Sequence, residues 1–329
     1  MFRRALICVA MVGVVAACGS EDDSGTKAGS GGAAGSSGSA SGGASGSGGV
    51  SSGGASGSGG ASSGGSSGAN TGGSSGSGTG GSAGSGGSAG VWSPKPGTSW
   101  QWQLTGTIDE SVDAAMYDID LFDNPAATIQ SLHGKNRVVV CYFSAGSRED
   151  WRPDASQFTA ADYGKGLVGW PGENWLDVRS QNVRAIMKKR LDMAVQKGCD
   201  GVEPDNVDGY DNDTGFPLTA NDQLDFLKFL ATEAHSRGLS VGLKNTLGLI
   251  PQAVSSFDFA VNEECLSFKE CGELAPFISS GKAVFHVEYV DKSSQGASKQ
   301  MQVCGQASIK GFSTLIKTWD LDAWRLTCP

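Results

Sequence analysis

The sequence predicts an α/β fold, a (β/α)8 TIM-type barrel behind a disordered Gly/Ser-rich N-terminal linker. Three observations lead there. After residue 91, short apolar runs rich in Val, Ile, Phe and Tyr recur eight times and alternate with longer helical patterns. About 240 residues hold them, the usual size of one such barrel. Polar residues gather just behind the runs, where a barrel's C-terminal face carries chemistry.

The strand candidates are 100–104, 116–122, 137–144, 201–204, 240–244, 257–262, 283–289 and 312–317. Helical spacing is clearest at 179–197, where Val183, Ile186, Met187, Leu191, Ala194 and Val195 form one apolar stripe. A second helix is expected over 219–237, with Thr219 as N-cap and Gly238 beyond its end. Strands followed by helices call for parallel pairing. A doubly wound open sheet is the alternative, although no G-x-G-x-x-G follows any strand.

The linker follows from where glycine sits. Of 51 glycines in 329 residues, 31 lie in residues 1–90 and 20 in residues 91–329. The 67 residues from 24 to 90 hold 29 Gly and 22 Ser, one charge and no aromatic. Such a stretch buries too little apolar surface to offset its chain entropy. A Gly/Ser coil of that length spans about 45–50 Å. Ahead of it, Phe2-Arg3-Arg4 and the 13 apolar residues 5–17 read as a signal segment, too short for an easy membrane span. Val15-Ala16-Ala17 leads straight into Cys18, which resembles a bacterial lipoprotein cleavage box. The expected organisation is a signal peptide at 1–17, a lipidated Cys18 and linker over 18–90, and a barrel domain over 91–329. Localisation is then export with lipid anchoring, and Gly19 after the cysteine favours the outer membrane or cell surface.

The net charge is −9. Residues 1–90 cancel, so the domain keeps all of it, with 22 Lys+Arg against 31 Asp+Glu. That field disfavours nucleic acid and favours cationic partners. Only His133, His235 and His286 are present, and none has metal-ligand spacing, so neither metal nor cofactor is expected. There is no G-x-S-x-G elbow and no phosphate-binding loop. What remains is acids and aromatics at strand ends. These are Asp120 and Asp123; Ser144 to Glu149; Asp205 to Tyr210; Lys244-Asn245; Glu263-Glu264; Glu288-Tyr289; and Lys317 to Trp319. Paired carboxylates lined by Trp and Tyr suit glycoside hydrolysis.

Five runs carry a closer likeness: CYFSAGSREDWRPD (141–154), KGCDGVEPDNVDGYDN (197–212), LTANDQLDF (218–226), RGLSVGLKN (237–245) and FDFAVNEEC (257–265). In this order they resemble glycoside hydrolase family 114, over roughly 100–290. The resemblance implies endo-α-1,4-polygalactosaminidase activity on a barrel fold, with a galactosamine-rich, cationic polysaccharide as substrate. It also implies two catalytic carboxylates, Asp205 within PDN as nucleophile and Glu263 within VNE as general acid/base. Glu264 competes with Glu263, and Glu203 and Asp208 compete with Asp205. Alternation along a strand lets only one of Glu263 and Glu264 face the site.

Asp120, Asp208 and Tyr210 are candidate substrate contacts, Lys244 and Asn245 candidates for positioning the carboxylates, and Glu288 and Tyr289 candidates for a sugar subsite. Trp151, Trp175 and Trp319 are candidate platforms. Cys141, Cys199, Cys265, Cys271, Cys304 and Cys328 remain after Cys8 leaves with the signal and Cys18 takes lipid. An even number outside the cytosol suggests disulfides. Proximity favours Cys265–Cys271 and Cys304–Cys328, with Cys141–Cys199 as the remainder. A monomeric enzyme, touching membrane only through its lipid, is the expectation; a non-catalytic glycan-binding lipoprotein on the same scaffold is the alternative. Export predicts that wild-type cells incorporate labelled palmitate into the chain, and that Cys18→Ser removes the label and frees the chain into the soluble fraction.

Overall fold

The computed structural model describes residues 90–329. The signal segment 1–17, Cys18 and the linker up to residue 89 lie outside the described residues. In chain order the strands are β1 (Trp100–Gln103), β2 (Met116–Asp120), β3 (Val138–Ser144), β4 (Ser147–Glu149), β5 (Tyr163–Gly166), β6 (Glu173–Leu176), β7 (Gly201–Asp205), β8 (Ser240–Lys244), β9 (Phe259–Glu263), β10 (Val284–Val290), β11 (Ser313–Thr318) and β12 (Leu326–Thr327). The helices are α1 (Ala126–Gly134), α2 (Gln181–Lys197), α3 (Ala220–Ser236), α4 (Ile250–Ala253), α5 (Cys265–Phe268), α6 (Ala275–Ser279) and α7 (Gly296–Val303).

Eight of the strands pair in parallel in the order β1-β2-β3-β7-β8-β9-β10-β11, and β12 adds antiparallel to β11. They coincide with the eight predicted apolar runs. The order follows the chain without reversal, which is barrel topology and not the doubly wound alternative, whose order reverses at a switch point. Side chains and the C-terminal segment bridge the seam between β1 and β11. Trp100 Nε1 donates to Ser313 O at 2.8 Å, Gln101 Nε2 to Ala323 O at 2.9 Å, and Leu104 N to Leu321 O at 2.9 Å.

Alternation sorts the side chains into two cores. Trp100, Trp102, Met116, Val140, Phe259, Val261, Phe285, Val287, Tyr289 and Leu315 form the cluster inside the curled sheet. The intervening residues, among them Ile119, Val139, Phe143, Val202, Leu243 and Ala260, pack outward with the helices. Gly242 is required for the inner packing. A Cβ there would lie 2.3 Å from the Phe259 ring. Trp92 closes the N-terminal end of the barrel against Phe285 and Phe259, with ring centroids 6.4 and 5.8 Å away.

The two long helices form where the sequence predicts them, and the structure supplies the caps of α2. Ser180 caps α2 by accepting from Val183 N, and Gly198 ends it at φ 92°. Thr219 and Asp222 form a capping box at α3, an arrangement worth about 1 kcal/mol. Val195 departs from the expected α2 stripe and is exposed.

Two departures from eight regular strand–helix units stand out. The β1–β2 connection has no helix; instead Gln103 satisfies the loop, its Nε2 donating to Thr105 O and Thr107 O and its Oε1 accepting from Asp109 N. Between β3 and α2 the chain inserts a small antiparallel sheet, β4-β6-β5. It is anchored by buried ion pairs, Arg152 to Asp120 at 2.6 Å and to Glu149 at 2.8 Å, and Arg190 of α2 to Asp154 at 2.8 Å. Its strands are short and rich in Gly, Ser and charge, so they show no apolar period.

The three expected disulfides form: Cys141–Cys199, Cys265–Cys271 and Cys304–Cys328, with Cα separations of 6.0, 4.7 and 5.2 Å. They close loops of 58, 6 and 24 residues in sequence separation. Paired Cys→Ala substitution is therefore expected to cost about 4, 2 and 3 kcal/mol respectively. Urea unfolding of the three double variants checks that order.

Candidate active site

Three neighbouring strands end on an inward-facing charged residue, β7 on Asp205, β8 on Lys244 and β9 on Glu263. Each is followed by a residue with left-handed backbone: Asn206 (φ 58°), Asn245 (φ 46°) and Glu264 (φ 60°). The chain turns sharply off each strand there and leaves the preceding side chain in the barrel mouth. Asparagine tolerates that conformation well; glutamate less so.

Lys244 Nζ lies 3.1 Å from Asp205 Oδ2 and 3.2 Å from Glu263 Oε2. Those two oxygens therefore lie within the sum of the two distances of each other. A third carboxylate, Glu203, sits two residues deeper on β7, with Oε1 at 3.3 Å from the same ammonium. Neutral donors complete the upper pair. Tyr142 OH donates to Asp205 Oδ2 at 3.1 Å and Asn206 N to Asp205 Oδ1 at 2.6 Å. Tyr289 OH donates to Glu263 Oε1 at 2.5 Å and Asn245 Nδ2 to Glu263 Oε2 at 3.1 Å. Asn245 Oδ1 also accepts from Glu263 N at 3.0 Å, which locks the turn to the neighbouring strand.

Burial alone would strip Lys244 of its proton; Asp205, Glu263 and Glu203 outweigh it and raise its pKa well above the ordinary value. Burial pushes the Glu263 carboxyl up, but Lys244, Tyr289 and Asn245 together hold it below the usual range. The hydroxyls of Tyr289 and Tyr142 are pushed up by burial, and further by Glu263 and Asp205 respectively, so both stay protonated donors. Glu264, the rival to Glu263, turns away from the Lys244 cluster; burial and the nearby Glu288 and Glu263 push it up to about 7.

The remaining predicted residues separate. Lys244, Asn245 and Tyr289 join the carboxylates directly. Trp319 stacks on Tyr289 with ring centroids 4.0 Å apart and an exposed outer side. Asp120 is placed on the inner face, but both its oxygens bind Arg152, and Oδ1 also accepts from Phe122 N and Asp123 N. Glu288 lies on the opposite face from Tyr289, because the two are adjacent on one strand. It is fully buried behind the sheet, where it accepts from Leu266 N at 2.9 Å and Ser267 Oγ at 2.8 Å and pairs with Lys299 at 2.8 Å. Burial there is outweighed by His286, Lys299 and Ser267, which bring its carboxyl to about 2. It braces the start of α5 and does not line the mouth. Asp208 is half-buried at the head of the β7–α3 loop, its carbonyl accepting from Asn212 Nδ2. Tyr210 packs on the outer core with its hydroxyl against Gly248. Trp175 is buried and Trp151 exposed.

Sequence reasoning passed over Tyr142 and Asp118. Both were visible as strand alternation: Tyr142 shares a face with Ser144, and Asp118 shares one with Asp120. Cys265, Cys271 and His286 also cluster within 4.8 Å, but the two sulfurs are joined to each other and offer no thiolate.

Residues 81–329 match the model of glycoside-hydrolase family GH114. The chain belongs to glycoside hydrolase family 114. Among solved structures, Aspergillus fumigatus Ega3 in complex with galactosamine is 48% identical, covers 73% of this chain and 98% of its own, and superposes with a TM-score of 0.70. The glycoside hydrolase domain of PelA from Pseudomonas aeruginosa is 12% identical, covers 71% of this chain and 99% of its own, with a TM-score of 0.56, a likeness of fold. Comparison with curated proteins returns no match. This family 114 hydrolase is thus an enzyme whose barrel mouth holds two carboxylates on one buried ammonium.

If that ammonium sets the state of the pair, Lys244→Met must raise the Glu263 carboxyl. Carbon-13 NMR titration is expected to show Glu263 ionising below the usual range in the wild type and above it in the variant. Stability falls too, by about 3–5 kcal/mol, since buried carboxylates lose their counter-ion. Glu263's depressed value stabilises the fold above its unfolded value, and that part is lost as the pH drops through its folded one.

Proposed function

We propose that this hydrolase cleaves α-1,4-linked galactosamine polymers in endo fashion with retention of configuration, Asp205 acting as nucleophile and Glu263 as general acid/base. One observation carries the reading: a single Lys244 ammonium holds both carboxylates at 3.1 and 3.2 Å. Two carboxylates drawn onto one ammonium support the close carboxyl spacing of retention, about 5–5.5 Å, over the about 6.5–9.5 Å that inversion needs to fit a water.

In the first step an Asp205 oxygen attacks the anomeric carbon and the glycosidic bond breaks, while Glu263 gives its proton to the departing oxygen. In the second, ionised Glu263 takes a proton from water, which opens the glycosyl ester and frees Asp205. Tyr142 and Asn206 orient the nucleophile; Tyr289 and Asn245 orient the acid/base. The exposed ring of Trp319 on Tyr289 offers a face for a sugar. Exposed Trp151 and Trp170 on the β4–β6 insert extend apolar surface beyond the mouth, as an endo-acting enzyme on a long chain requires.

Galactosamine as the sugar is supported by the bound ligand of the Aspergillus fumigatus relative and by charge. A polymer of protonated amines meets a chain of net charge −9. The leader, Cys18 and the long Gly/Ser stretch support display of a monomeric enzyme on a lipid anchor outside the cell, where such a polymer is found.

Incubation with deacetylated α-1,4-galactosamine oligomers tests this. The wild type is expected to shorten them and release the α-anomer first by NMR, and Asp205→Asn and Glu263→Gln each to lose roughly 10³-fold or more in kcat. Activity indifferent to both changes sinks the residue assignment, first release of the β-anomer sinks retention, and binding without cleavage favours the non-catalytic reading. Because Glu263 must carry a proton to act as acid, and its value is depressed, kcat/KM should rise as the pH is lowered from neutral. An optimum on the alkaline side would remove Glu263 from the acid role.

A further inference from the structure

We propose that Asp118 and Glu203 share one proton beneath Lys244, forming a positioning pair that keeps the lysine ammonium committed to Asp205 and Glu263. The inference rests on the assignment of those two as the catalytic carboxylates.

Asp118 is the middle residue of β2 and Glu203 the middle residue of β7, both on the inner face. Both are 0% exposed. The two side chains act on each other electrostatically inside the barrel. None of their four carboxyl oxygens has a protein donor among the described residues. Glu203 Oε1 reaches Lys244 Nζ at ion-pair distance, 3.3 Å, without hydrogen-bond alignment.

Two ionised carboxylates buried side by side in a barrel interior repel each other. A hydrogen bond between them needs a hydrogen, and no described protein donor supplies one. A single proton held between the two oxygens meets both demands, and the pair then titrates as a unit. In the same sense, burial and the neighbouring carboxyl push Asp118 well up, and burial pushes Glu203 up against the pull of Lys244.

One ammonium faces four carboxyls in this mouth. Around it stand Tyr142 from β3, Asp205 from β7 and Glu263 from β9; Tyr289 from β10 bonds Glu263, and Lys317 from β11 is tied to the Asp322 carbonyl. Both tyrosines stay neutral, and burial brings Lys317 down to about 7. Lys244 also lies over the Trp102 ring of β1, 5.0 Å from its centroid, so no polar group of that strand competes for it. With the lower pair carrying a proton, the negative charge beneath the ammonium is halved and its field is left for the upper pair. When the lower pair loses that proton, charge accumulates below Lys244, its field at Glu263 weakens, and the Glu263 carboxyl rises.

The isosteric variants separate this from mere packing. In Asp118→Asn the amide donates to Glu203, which becomes a full charge next to Lys244; Glu263 is expected to move up by roughly half a pH unit. In Glu203→Gln the charge moves to Asp118, farther from Lys244; Glu263 is expected to move down by a similar amount. Carbon-13 NMR of the Glu263 carboxyl reads both without substrate, and the low-pH dependence of kcat/KM should follow in the same two directions. Infrared difference spectra of the wild type against each variant should show one buried protonated-carboxyl band, shifted in deuterium oxide, that the wild type has and both variants lack. No such band in the wild type, or Glu263 moving the same way in both variants, overturns the proposal. If one variant fails to fold, the direction in which the other moves Glu263 still decides. Failure of galactosamine cleavage with these spectroscopic results intact would overturn the substrate reading and leave the shared proton standing.

Discussion

The mouth of this barrel is organised by one buried ammonium. Lys244 is 2% exposed, and three carboxylates from β7 and β9 lie within 3.3 Å of it. An isolated charge in such a place is prohibitively costly, and an isolated carboxylate equally so. The strands ending in Asp205, Lys244 and Glu263 are therefore not independent contributions to a site. Each is tolerated in the interior because the others are there, and the electrostatic demand holds the three strand ends at one level.

Everything around the cluster limits its freedom. Below it, Trp100, Phe259 and Phe285 fill the barrel and Trp92 closes the floor. Above it, the β4–β6 insert is tied to the rim by Arg152 and Arg190. At the close approach of Gly146 to Asn206, a Cβ would lie 1.7 Å from the Asn206 carbonyl oxygen, so only glycine fits where the insert leaves β3 beside Asp205. The left-handed turns at Asn206, Asn245 and Glu264 aim the charged residues before them and cost backbone strain, which the Asn245–Glu263 bonds offset.

Much of this was legible in the primary structure. Parallel strands covered on both faces read as continuous apolar runs, and all eight runs are strands. Thr219 and Gly238 marked the ends of α3 because capping is local. The β4–β6 insert was invisible because three-residue and four-residue strands held by ion pairs leave no apolar period. Glu288 was misplaced for a related reason. Its position at a strand end was correctly read, but the face was not, and one residue of register separates the mouth from the helix layer.

By itself the sequence determined the eight barrel strands, the alternation along them, the ends of α3 and the excess of acid. Those properties depend on neighbours a few residues apart. Tertiary structure alone decided which charges meet. Lys244 is about 40 residues from Asp205 and about 20 from Glu263 along the chain, and nothing local brings them together. Curling a parallel sheet puts the ends of adjacent strands side by side. The same curl points Asp118 and Glu203 into one interior and brings Asp120 to Arg152. Parity is a short-range property of the peptide chain; contact across strands depends on the curvature and stagger of the whole sheet.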